Sequence, residues 1–95
     1  MAFTSSSTDK AAAEFVAAQL EKLMALPLVT DEDEERWGAE CASFETELES
    51  RFPTFALEHH VEHFVTDTDI RRKEAGYKDR QHREISDYIR RLRTP

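Results

Sequence analysis

The densest group of side chains able to bind a metal or move a proton is Glu58-His59-His60-Val61-Glu62-His63, followed by Asp67, and it contains three of the four histidines. His59 and His63 stand four residues apart, the spacing that lets two imidazoles on one helix share an ion. His60, His63 and Asp67 fall along a second stripe if the helix continues that far. With no thiolate in the set, the expected ion is zinc, nickel or copper, held by His59, His60, His63 and Asp67, with His82 as a candidate to complete the shell. The competing expectation is a solvated face. On a helical wheel Leu57, Val61, Phe64 and Val65 cluster together, and His59, Glu62 and His63 project away from them.

His59-x-x-Glu62-His63 also fits the letters of the H-x-x-E-H metalloproteases. Such an enzyme needs a further carboxylate ligand and a substrate cleft that a chain of 95 residues does not build, so that reading is set aside. Other catalytic patterns are missing. Cys41 falls on an apolar seam, where a thiol is a small buried residue and not an activated nucleophile. Ser43, Ser50 and Ser86 have no strand-turn-helix elbow around them, and the sequence contains no glycine-rich phosphate loop and no paired Glu-x-x-His for a di-iron site.

The elements that must position these groups are helices. Two glycines, no Asn-Gly or Asp-Gly pair, and an abundance of Ala, Glu, Leu and Arg predict an all-α chain. Residues 1–7 read as a flexible polar leader, and residues 8–95 as a single domain. Thr8-Asp9 offers a cap for a first helix from about Asp9 to Leu26, stopped by Pro27. Thr30, followed by four acids, starts a second helix reaching about Arg51. Trp37, Cys41, Phe44, Leu48 and Phe52 step along it by three and four residues as one seam, which places Trp37 in the core. Gly38 beside that seam suggests a close helix contact. Pro53 breaks the chain again, and Thr54 caps a short third helix of about 12 residues.

A long fourth helix then carries Ile70, Tyr77, Ile85, Tyr88, Ile89 and Leu92 on one stripe. Ile70 to Leu92 spans roughly 35 Å at 1.5 Å per residue, so one end is expected to project and offer a surface for a homodimer. The fold expected is a small bundle of about four helices, three long and one short, with antiparallel neighbours. Glu74 and Gln81 are polar where the last stripe should be apolar, and with Tyr77 they are candidates for a partner contact or for setting register. Phe3 and Phe55 are either core or interface anchors.

Charge narrows the partners. The chain carries a net charge of −7, with 14 acidic and 4 basic side chains up to Thr66 and 6 acidic and 9 basic from Asp67 onward. A nucleic-acid-binding domain is ordinarily basic, so direct nucleic-acid binding, although the last helix could supply it, is not expected. The basic last helix is read as a solvated face opposite acidic neighbours. No stretch is long and apolar enough for a membrane span, no secretory leader is evident, and a lone cysteine fits a reducing cytoplasm.

These features point to a small acidic non-enzymatic protein-binding module, an adaptor, regulator or inhibitor whose partner is a basic or nucleic-acid-binding protein. Glu40, Glu45, Glu47 and Glu49, with the Asp31–Glu35 run, form the acidic surface. The alternative is a metal-binding or metal-responsive protein built on His59, His60 and His63.

Overall fold

The computed structural model describes residues 2–94, with side chains from Lys10 onward, and shows five helices: α1 (Ala2–Ala25), α2 (Asp31–Arg51), α3 (His59–Thr66), α4 (Thr68–Lys73) and α5 (Ala75–Arg93). The described residues contain no strand. α1 begins at Ala2, so the Thr8-Asp9 cap and most of the Ser-rich stretch expected as a flexible leader lie inside it. Residues 2–25 contain neither glycine nor proline, and serine costs a helix only about 0.5 kcal/mol relative to alanine, so nothing stops propagation toward the N-terminus.

α2 is the helix the sequence specifies most fully. The Thr30 hydroxyl accepts from the Asp33 amide at 3.1 Å, and the Asp33 carboxylate accepts from the Thr30 and Val29 amides at 3.0 and 2.9 Å, completing a reciprocal cap. Those two backbone donors also hold the Asp33 carboxyl below the usual carboxylate range. Trp37, Cys41, Phe44 and Leu48 are buried and Phe52 packs at the margin, as the seam predicts. Gly38 does not mediate a contact. A Cβ built there meets nothing within 4 Å, because the residue faces open space.

The third helix starts later than expected. Pro53 and Thr54 form a turn, residues 55–58 are irregular, and α3 spans only eight residues. The expected long fourth helix is two helices. Glu74 adopts φ −125° and ψ 105° and separates α4 from α5, so α4 folds against α5 and no end of a continuous rod projects. The projecting helix end on which a homodimer contact was expected is therefore not formed among the described residues.

α1 and α5 are the central pair, and ion-pair and ring contacts run antiparallel between neighbouring helices. Arg93 reaches Glu14 and Glu21 in α1, while Lys22 meets Glu40 and Phe15 stacks on Phe44 and Phe52 between α1 and α2. His60 lies edge-on to Tyr88, and Phe64 to His82, between α3 and α5. Between these helices lies one core that includes Val16, Leu20, Leu23, Trp37, Phe44, Phe64 and Ile85. Phe55 packs against it; the Phe3 side chain is outside the described ones. No described helix is long and apolar enough to cross a membrane.

Candidate functional site

The core contains a side chain that no apolar pattern signals. Arg71, in α4, is only 2% exposed and its guanidinium sits in the corner formed by Trp37 and Phe64, whose rings meet edge-on, 4.5 and 4.4 Å from the two ring centroids. Both rings present negative π faces to the cation. Its Nη1 donates to the Phe64 carbonyl and, at 2.8 Å, to Gln81 Oε1, while Nε and Nη2 have no partner. Burial lowers its pKa to about 10, and among the described residues no carboxylate touches it.

From Arg71 a single line of hydrogen bonds runs outward. Gln81 Nε2 donates to the Tyr77 oxygen at 3.2 Å, and Tyr77 donates to Asp67 Oδ2 at 2.6 Å. His63 Nδ1 meets the same oxygen at 3.2 Å, and His63 Nε2 lies 2.9 Å from His59 Nε2. The direction of every bond follows from its ends. Arginine can only donate, so Gln81 turns its oxygen inward and its amide nitrogen toward Tyr77; the ionised Asp67 can only accept, so Tyr77 and His63 Nδ1 donate to it. His63 is thereby held with its Nε2 lone pair turned toward His59.

The Tyr77 hydroxyl, followed by His63, keeps the Asp67 carboxyl below the usual carboxylate range, and the same bond raises the Tyr77 hydroxyl. A depressed carboxyl contributes stability that is complete above its unfolded value, about 4, and is lost as pH falls through the lower folded value. Tyr77→Phe should accordingly cost about 1 kcal/mol between pH 5 and 8. In melting curves against pH, the gap between this variant and the parent should close below about pH 4; a gap constant down to pH 2 would show that Asp67 is not the acceptor that matters.

The outer end of this line borders a cavity of about 240 Å³ between α3 and α5, lined by His59, His60, His63, Tyr77, Arg80, Gln81 and Glu84. Tyr77 and Gln81, expected as partner contacts, and His59, His63 and Asp67, expected as metal ligands, thus belong to one connected site. Gln81 is buried and occupied by Arg71 and Tyr77, so it is not a partner contact. Glu74 does not join either; it is the exposed joint between α4 and α5.

The four expected metal ligands do not converge, and no group of three His, Cys, Asp or Glu side chains that could hold an ion is found among the described residues. His60 is turned toward Glu58 and Tyr88, and Asp67 backs His63 from the side away from His59. His82 is directed elsewhere, edge-on to Phe64 and lining a separate groove with Glu21, Met24 and Ile89, where burial lowers its pKa.

Of the acidic partner residues, Glu40 is paired with Lys22 and Glu47 with Arg51, whereas Glu45 and Glu49 are exposed with no ion pair among the described residues. The basic residues of the last third are largely turned to acidic neighbours: Arg72 to Asp31 and Glu34, Arg91 to Glu58, Arg93 to Glu14 and Glu21. No protein-family model, curated protein or solved structure matches this chain.

Proposed function

We propose that this chain is a small non-enzymatic protein-binding module, an adaptor, regulator or inhibitor, that receives a basic partner where the α1–α2 loop meets α4. The observation that carries this reading is the pair of large aliphatic side chains exposed there, Val29 at 75% and Ile70 at 39%. Their two segments are tied together by Arg72, whose Nε donates to the Val29 carbonyl at 3.0 Å and whose Nη1 meets Asp31 at 2.6 Å. Exposed Asp31, Glu32, Glu35 and Asp69 lie along the same two segments. Exposed aliphatic side chains among exposed carboxylates suit a protein-protein contact, and the net charge of −7 favours a basic partner, including one that ordinarily grips phosphates. Cys41 supports the non-enzymatic part. Burial pushes its thiol up to about 12, so it supplies no thiolate at neutral pH.

The test is a titration of the isotopically labelled chain with a basic amphipathic peptide, followed by NMR. Amide shifts should concentrate in residues 28–35 and 68–72, the affinity should fall with added salt, and Val29→Asp with Ile70→Asp should weaken binding at least about tenfold. Shifts centred elsewhere, or an affinity unaffected by that double variant, would overturn the proposal.

A further inference from the structure

We infer that His59 and His63 form a two-imidazole chelate for a divalent transition-metal ion that prefers right-angled coordination, copper(II) ahead of nickel(II), in preference to zinc. The inference stands apart from the protein-binding surface at Val29 and Ile70 and uses different residues.

The spacing of the rings carries it. The two Nε2 atoms are 2.9 Å apart, the ring centroids 4.4 Å apart, and the ring planes meet at 85°. An ion about 2.0 Å from each nitrogen separates the nitrogens by about 2.8 Å at a right angle and by about 3.3 Å at the tetrahedral angle. Each centroid lies about 1.15 Å behind its nitrogen, so the corresponding centroid separations are about 4.5 and about 5.1 Å. Both observed spacings match the right angle. They do not match a straight N–H···N hydrogen bond, in which the centroids would be about 5.2 Å apart at this nitrogen separation. Square-based geometry is the preference of copper(II) and nickel(II), and tetrahedral geometry that of zinc.

The surroundings prepare one ligand in advance. Asp67 accepts from His63 Nδ1, the carboxylate-histidine arrangement that fixes a metal ligand's tautomer and raises its basicity. Asp67 is itself fixed by Tyr77, which is held by Gln81 and, behind it, Arg71. His59 needs only to carry its proton on Nδ1 to turn a second lone pair toward the ion. Both imidazoles bind in the neutral form, so the ion competes with protons for them. The side chains are exposed on α3, so water can fill the other coordination positions.

The full chain, stripped of metal with a chelator, should be titrated separately with copper(II), nickel(II) and zinc(II) salts by calorimetry, with electron paramagnetic resonance on the copper sample. The expected results are one equivalent bound, the order copper, nickel, zinc, and a copper spectrum showing two imidazole nitrogens. His59→Ala and His63→Ala should each lower copper affinity by at least about 100-fold, Asp67→Asn by about 10-fold to 100-fold, and His60→Ala by less than about twofold. All these side chains lie at the surface or its margin, and unchanged circular dichroism will show that the variants fold. Zinc bound more tightly than nickel, equal loss on His60→Ala, or undiminished copper binding in the His59→Ala/His63→Ala double variant would each overturn the proposal.

Discussion

Trp37→Ala should destabilise the protein by about 3 to 5 kcal/mol, a large share of a folding free energy of about 5 to 15 kcal/mol. Trp37 is 1% exposed and its loss acts twice. It opens a cavity against Phe64, whose ring meets the indole edge-on at 5.2 Å, and it removes one of the two π faces that hold Arg71. The guanidinium would then border a void with two of its nitrogens still unpaired. Urea unfolding followed by circular dichroism at 25 °C should show the midpoint moved to clearly lower denaturant with the slope unchanged. A cost below about 1 kcal/mol would mean that α2 is not held to α4 through this contact.

The second large effect separates two substitutions at one position. Arg71→Ala should cost about 3 to 5 kcal/mol, because it empties the space between Trp37 and Phe64 and leaves the Phe64 carbonyl and Gln81 Oε1 without their donor. Arg71→Met with Gln81→Leu should cost less than Arg71→Ala and stay within about 2 kcal/mol of the parent, since apolar groups of similar volume fill the space and remove the buried charge, its unpaired nitrogens and Gln81 Oε1 together, leaving the Phe64 carbonyl as the one buried acceptor without its donor. Burial lowers the Arg71 pKa, and a cation whose folded pKa lies below its unfolded value costs stability at every pH below that folded value. Paired urea curves decide the matter. A double variant that loses more than about 2 kcal/mol would show that the cation contributes more through its aromatic and carbonyl contacts than its burial costs.

The contrast explains what was legible in the sequence. α2 was legible because its signals are local: the Thr30 cap, the acids behind it and a seam at three- and four-residue steps act within one helix. The break at Glu74 was not, because neither glycine nor proline stands there, and Gly76 lies inside α5. The break accompanies a tertiary arrangement, with Arg71 drawn between two rings from other helices. Arg71 itself was hidden in the run Arg71-Arg72-Lys73, which reads as a solvated face, and Arg72, its neighbour, does pair at the surface. One clue pointed to it. Gln81 occupies a polar position on an apolar stripe, and a buried amide requires a partner; Arg71 is that partner. The His59–His63 spacing was legible as a pair, but the role of Asp67 was not, because it follows the end of α3 and so does not continue the helical stripe.

The chain order of the helices has a consequence for the time course of synthesis. α5 lines α1 along one side and packs against α3 and α4 on others, and its Arg93 closes onto Glu14, 79 residues earlier. Until α5 has emerged from the ribosome, the apolar faces of α1 and α3 lack their main neighbour. At about 5 to 20 residues per second, the nascent chain carries those faces uncovered for seconds. Assembly of this core therefore waits on the last helix, and a chaperone that shields apolar surface would meet the protein in that interval.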